Sequence, residues 1–290
     1  MNRPVAIPLV VPIAKAPITQ ADGLRRLFGG SLTRCVPVVG NPTVPFSGVL
    51  LERLCTAFAD LRLHTLVVDA AESSPMPNEL AQVDLSACVE NLSPQVSYLA
   101  ARGLAMRYIN AHGSAAPLMP ALLDAAPRAN VIVLHIGAKD LVRVLGHRDV
   151  CPLLLADDHP ASVTQAYASM KLLVHRGGMM AHTLLLSAGT HSPRTARIAE
   201  QLAFCADNFM GAVLRDWAAV DPHDSADLPP GPGLAQLARE LLRANAPGAA
   251  LQEPTDHHDR CIRLGIGHDD TTRFDKRQPR TRPGAIRMAF

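Results

Sequence analysis

Cys35-Val-Pro-Val-Val-Gly-Asn-Pro-Thr-Val-Pro-Phe-Ser-Gly48, running on into Val49-Leu-Leu-Glu-Arg-Leu-Cys-Thr-Ala-Phe58, decides how this chain is read. Val36 to Val39 is a short apolar run and predicts a strand. Gly40 to Gly48 is built from Gly, Pro, Asn and Ser and predicts a loop. Leu50, Leu54, Ala57 and Phe58 recur at helical spacing and predict a helix with one buried face.

Strand, glycine-bearing loop and helix, in that order, is the layout of a loop that cradles phosphate. Such a loop works through a lysine on the terminal phosphates and a Ser or Thr hydroxyl on Mg²⁺. No lysine lies between Cys35 and Phe58. The loop has the place for a phosphate and lacks the side chains for one.

Outward from this stretch, apolar runs alternate with amphipathic ones. Strands are predicted at Thr65–Asp69, Val131–Ile136, Pro152–Ala156 and Thr183–Ser187, with short ones at Met106–Ile109 and Gly211–Leu214. Helices are predicted at Leu118–Ala125, from Pro160 onward, after Ser192-Pro193 and over Leu234–Leu242. Pro160 suits the first helical position, and Ser192 suits an N-cap. The helix after Pro160 has Val163, Ala166, Tyr167, Met170, Leu173 and Val174 as its stripe. The helix after Ser192 is given Ile198, Leu202, Cys205 and Phe209. Residues 71–95 receive no assignment.

Wholly apolar strands separated by helices predict an α/β domain, a mostly parallel twisted sheet flanked by helices. Ligands of such sheets sit at the carboxyl ends of the strands. Gly40, Asp69, His135, Gly137, Asp157, Asp158 and Ser187 fall at or just past those ends.

The chain has 290 residues, enough for a sizeable core, and its net charge of +2 favours no nucleic-acid surface. None of the six cysteines forms a C-x-x-C pair, which fits core thiols in a reduced, cytoplasmic protein. Prolines break the apolar run Val5–Ala16, and no run is long enough to span a membrane. The organisation read from the sequence is a leader with a short helix over 1–30, an α/β domain over 31–228, and a linker, helix and tail over 229–290. Residues 246–290 are read as disordered from their Pro, Gly, His, Asp and Arg content.

Three stretches carry a family resemblance. Gln20-Ala-Asp-Gly-Leu-Arg25 is similar to the amino-terminal Asp-Gln-Ala-x-x-Leu-Arg motif of the flagellar FlhG (FleN) branch of the MinD/ParA deviant P-loop ATPases. Thr164-Gln-Ala-Tyr-Ala-Ser-Met-Lys-Leu-Leu173 resembles that branch's Thr-Asp-Ala-Tyr-Ala-Leu-Ile-Lys-Leu-Leu helix. Trp217-Ala-Ala-Val-Asp221 resembles its return to the nucleotide base. The resemblance spans roughly residues 19–224. It implies a P-loop NTPase-like (MinD/SIMIBI) fold and a partner, an FlhF-type GTPase, engaged through Gln20, Ala21, Leu24 and Arg25. Flagellar basal-body or transcription-regulator proteins are further implied partners.

The resemblance also places the nucleotide machinery, and this chain departs from it. Pro42 and Ser47 stand at the two lysine positions, and Gly48 at the Mg²⁺ threonine. Asp69 is kept on the second strand, while Ala71 replaces the water-orienting carboxylate. His135 stands at the Walker B aspartate and Ser187 at the base-reading asparagine. No catalytic residue, metal or cofactor is therefore expected, and the protein reads as a regulator of flagellar number or placement without ATPase activity. The alternative is a MinD-like ATPase that still binds ATP and Mg²⁺ through its altered loop. A hydrolase using Ser47 and His135 is a third reading, without the Gly-x-Ser-x-Gly elbow such enzymes use.

Blander readings stand beside these. Asp69 and His135 are read as strand-end groups satisfied by hydrogen bonds, and Asp157-Asp158-His159 as an N-cap with loop charges. His257, His258, Cys261 and His268 are read as an adventitious metal-binding tail. The basic carboxyl end, interrupted by Pro279 and Pro283, is read as making weak membrane contact or none.

Overall fold

The computed structural model describes residues 33–248, apart from 83, 190–191 and 226–227. The expectations for Gln20 to Arg25 and for the carboxyl-terminal tail lie outside those residues.

Eight strands form one sheet: β1 (Arg34–Val39), β2 (Thr65–Ala70), β3 (Glu90–Asn91), β4 (Val96–Ala100), β5 (Val131–Ile136), β6 (Leu153–Asp157), β7 (Ala181–Ser187) and β8 (Val213–Val220). Their spatial order is β3-β4-β2-β5-β1-β6-β7-β8. Every pairing is parallel except that of β3 with β4. The strand that precedes the phosphate-type loop lies between β5 and β6, in the middle of the sheet. This is the expected α/β architecture.

Seven helices are described: α1 (Ser47–Asp60), α2 (Leu104–Arg107), α3 (Leu118–Ala125), α4 (Ala138–Leu145), α5 (Pro160–Gly177), α6 (Pro193–Met210) and α7 (Pro232–Ala244). Successive strand residues face opposite sides. Leu66, Ile132, Leu134 and Leu154 pack with α2 to α6. Val36, Val38, Val133 and Leu155 pack with α1 and α7. Leu50, Leu54 and Phe58 of α1 are fully buried, worth roughly 1.5–3 kcal/mol each.

Two expectations need correction, and one helix is new. Met106–Ile109 is not a strand: Gly103 at φ 73° opens α2 there, and the strand is β4, which ends at Ala100 and alternates between half-buried and buried positions. The buried stripe of α6 is Thr195, Ala199, Leu202, Ala206 and Met210. Phe209 is 66% exposed and meets Phe204, 60% exposed, edge to face. Small residues let α6 approach the sheet closely, and its aromatic rings face outward. The helix α4, which directly follows β5, was not anticipated.

The helix expected after the Pro-Gly segment belongs to the folded body. Leu234, Leu237, Ala238 and Leu241 of α7 are buried against the α1 side of the sheet. Asn245 closes its end by accepting from the Cys151 amide at 2.9 Å and donating to the Cys151 carbonyl at 3.1 Å. Arg53 donates to the Leu228 carbonyl at 2.6 Å and so holds the chain leading into α7. Among the described residues no helix is long and apolar enough to cross a membrane.

Candidate functional site

The loop after β1 is tied to the protein itself. Asn41, 5% exposed, donates through Nδ2 to the Leu155 carbonyl at 2.9 Å and the Ser162 carbonyl at 3.0 Å. Its Oδ1 accepts from the Thr43 amide and hydroxyl at 3.2 and 2.7 Å. The Val44 amide donates to the Asn41 carbonyl, and the Gly40 amide to that of Ile136. Pro42 and Pro45 have no amide proton to offer. The amides of Gly40, Thr43 and Val44 are thus engaged by the protein's own acceptors. Sequence reading passed over Asn41; its place between Gly40 and Pro42 was the available signal.

Asp69 and His135 come together because their strands are neighbours in register. Asp69 pairs with His135 across the β2–β5 ladder, and both side chains project to the same face. His135 Nδ1 lies 2.7 Å from Asp69 Oδ1. The Ser74 hydroxyl also donates to Oδ1, and the Tyr98 hydroxyl donates to Oδ2 at 3.2 Å. Burial acts to raise the Asp69 carboxyl. The hydrogen bonds from His135 and Ser74, the His135 charge and the Tyr98 hydroxyl outweigh it, and the carboxyl is held below its usual value. Burial and the Asp69 charge push the Tyr98 hydroxyl up to about 12.

His135 is only half satisfied. It is 3% exposed, and its Nε2 has no hydrogen-bond partner. This nitrogen faces Gly40: a Cβ built on Gly40 would stand 3.2 Å from Nε2 and 3.3 Å from the Ala71 Cβ. Asp69, expected to bond neighbouring backbone N–H groups, is instead held by three side chains, and His135 is bonded at Nδ1 alone.

His135 and Gly40 line an open cavity of about 520 Å³ at the carboxyl end of the sheet. Pro42, Ser47 and Ala71 share its wall, as do Glu72, Lys139 and Arg143. The cavity thus brings together Gly40, Pro42, Ser47 and His135 of the positions that the sequence singled out. Lys139 makes no ion pair among the described residues, whereas Arg143 is held by Asp140 at 2.7 Å. Ser187 lies outside the lining residues, at the end of β7, and Gly48 lies in the first turn of α1. Lys139 escaped the sequence reading because α4 itself did.

The neighbouring strand end is closed. Asp157 Oδ1 accepts from the His159 amide at 2.9 Å, and the His159 side chain caps α5 at the Ala161 amide. Asp158 pairs with Arg194 at 3.5 Å. Asp157-Asp158-His159 is an N-cap with loop charges, as read. Among the described residues no three His, Cys, Asp or Glu side chains are grouped to hold a metal.

No family model and no curated protein matches the sequence. Solved structures match it in fold. The McdA–ATP complex from Cyanothece is 13% identical, with 74% of this chain and 98% of that chain covered and a TM-score of 0.51. Cobyrinic acid a,c-diamide synthase from Mycobacterium smegmatis, with bound ADP and magnesium, is 14% identical over 74% of this chain and 98% of its own, with a TM-score of 0.50. The MinD cell division protein of Aquifex aeolicus is 10% identical over 73% of this chain and 98% of its own, with a TM-score of 0.49. At such identities the likeness is one of fold. The chain therefore shares the α/β fold of the McdA and cobyrinic acid a,c-diamide synthase structures.

Proposed function

We propose that this protein is a regulator without ATPase activity, an FlhG-like protein that sets flagellar number or placement through an FlhF-type GTPase. The observation that carries the loss of ATPase activity is the loop itself. Its amides at Gly40, Thr43 and Val44 are bonded internally, and Pro42, Ser47 and Gly48 stand where lysines and the Mg²⁺ threonine are needed. Phosphoryl transfer rests on positioning and charge stabilisation, and one lost preorganised contact costs about 10²–10³ in rate. Losing several together leaves hydrolysis at background. The solved relatives in fold include a complex with ATP and one with ADP and magnesium. Those ligands belong to the alternative, in which the altered loop still binds nucleotide.

The flagellar part of the reading rests on Gln20, Ala21, Leu24 and Arg25. In a helix from Thr19, Leu24, Leu27 and Phe28 form one apolar ridge, with Gln20 a turn before Leu24. A segment this short orders on its partner, because helix nucleation alone is costly. Leu24 is its anchor, and burying it is worth roughly 1.5–3 kcal/mol, about ten- to a hundredfold in affinity.

The test is GTP hydrolysis by an FlhF-type GTPase with the full-length protein added, in the presence and absence of Mg²⁺-ATP. Stimulation that is independent of ATP and lost in the Gln20→Ala/Leu24→Ala variant is expected. Stimulation that needs ATP, or that survives the double substitution, overturns the reading.

A further inference from the structure

Phe204 and Phe209 stand on the solvent side of a helix whose core face is built from small residues. The chain has seven phenylalanines, and these two lie exposed and edge to face, with ring centroids 6.3 Å apart. Aromatic rings carry a large apolar area and are enriched where proteins are contacted. Two further exposed apolar residues lie at the same end of the sheet. Gly211, left-handed at φ 61°, ends α6. Val213 then opens β8, and its amide donates at 2.8 Å to the carbonyl of Met180, the residue before β7. Phe209, Val213 and Met180, all exposed, therefore mark the amino end of the sheet.

The same end receives the amino-terminal leader. Residues 1–32 lie outside the described residues and join the fold at Thr33, immediately before β1. Because β1, β6, β7 and β8 are parallel, β1 starts at the end where α6 finishes. β8 is three strands from β1, a distance of about 15 Å. Residues 14–32 can extend to roughly 60 Å, so length does not limit the contact.

The leader's composition fits the rings. Pro4-Val-Ala-Ile-Pro-Leu-Val-Val-Pro-Ile-Ala14 contains no polar side chain. Its three prolines restrict φ, remove amide donors and exclude a helix, which leaves an extended course of the polyproline kind. Such segments dock against aromatic side chains and lose little conformational entropy in doing so. Charge agrees with shape. Residues 1–16 carry Arg3 and Lys15 and no acid. Residues 198–210 of α6 carry Glu200 and Asp207, both exposed, and no base. The carboxyl end of α6 adds the negative pole of its dipole. Residues 249–290 offer no comparable apolar run.

We infer that residues 4–14 dock in extended form on Phe204 and Phe209 of the same chain, at the amino end of the sheet. Arg3 and Lys15 bracket the docked segment and meet Glu200 and Asp207. The inference is independent of the flagellar reading, which rests on Gln20 to Arg25.

The test is NMR of the full-length protein labelled at isoleucine methyls and phenylalanine rings. The Ile7 and Ile13 methyls should lie away from random-coil positions, shifted by ring currents, and cross-relax with the ring protons of Phe204 and Phe209. In Phe204→Ala/Phe209→Ala both methyls should return to random-coil positions. The core methyls of Ile132 and Ile136 should stay in place and report an intact fold. Glu200→Lys/Asp207→Lys should lower the docked fraction and move the two leader methyls part of the way. In a mixture of isoleucine-labelled and phenylalanine-labelled chains no cross-relaxation is expected, because each leader docks on its own chain. Random-coil Ile7 and Ile13 methyls in the wild type, or shifts unchanged by either pair of substitutions, overturn the inference. So do ring contacts from Ile262 or Ile266 in place of the leader, which assign the rings to the tail, and contacts in the mixed sample, which assign them to a second copy.

Discussion

His135 and His182 are both buried in the same sheet, at opposite ends of it. His135 stands at the carboxyl end of β5, with Asp69 on one ring nitrogen and the other buried against Gly40. His182 is the second residue of β7, fully buried, with neither ring nitrogen hydrogen-bonded. Burial alone pushes the His182 imidazole down to about 4. The amino end of the sheet accepts a histidine as a neutral, ill-satisfied space filler. The carboxyl end ties its histidine to a carboxylate that also accepts from two hydroxyls, and leaves only the second ring nitrogen without a partner. Polar groups are organised at one end of this fold and merely tolerated at the other.

The largest expected effect breaks or upholds that contrast at the amino end. His182 has a folded-state value of about 4 against an ordinary 6.5, so it binds protons more readily when unfolded. Stability from this group is complete above pH 6.5 and is lost as the pH falls from 6.5 to 4. The shift corresponds to about 3 kcal/mol. Urea denaturation at pH 7 and pH 4 should show that loss, and His182→Leu should abolish most of it. If the variant keeps the full pH dependence, the ring is not bare in solution.

At the carboxyl end the sign of the pH effect is the same but its window is lower. The Asp69 carboxyl is depressed below 3.8, so its contribution is present above that value and lost as the pH falls below it. Asp69→Ala leaves the His135, Ser74 and Tyr98 donors without their acceptor and should cost about 2 kcal/mol at pH 7. Asp69→Asn, which retains an acceptor, should cost less and remove the acid-side loss below pH 3.8. Equal stability of all three proteins at pH 7 would show that the cluster is not organised around Asp69.

How far the sequence reaches can be judged at these same residues. The apolar runs that became β1, β2, β5, β6 and β7 were legible because strands buried on both faces are apolar throughout. The starts of α5 and α6 were legible because Pro160, Ser192 and Pro193 are local signals. β4 was not, since Val96-Ser-Tyr-Leu-Ala100 alternates in burial near an edge of the sheet. The core face of α6 was misplaced because size outranked position: Phe209 points outward, and Ala199 and Ala206 face the core. Asp69 and His135 were both singled out, but their pairing depends on the β2–β5 register, which one sequence does not carry. Ser74 and Tyr98 enter the cluster for the same tertiary reason.

A smaller effect probes the contact between Gly40 and His135. An alanine at residue 40 must push against the imidazole and Ala71, while Gly→Ala reduces the freedom of the unfolded chain. The net loss should be about 1 kcal/mol. In a His135→Ala background it should vanish or reverse, which a double-mutant cycle reads directly. Additive effects would mean that Nε2 does not face Gly40.

The central proposal, that the carboxyl-end cavity does not serve Mg²⁺-ATP, is tested most directly by isothermal titration calorimetry of the full-length protein with ATP and Mg²⁺. The account predicts no saturable heat at micromolar to submillimolar nucleotide. Stoichiometric binding with micromolar affinity, weakened by Ser47→Ala, would contradict it.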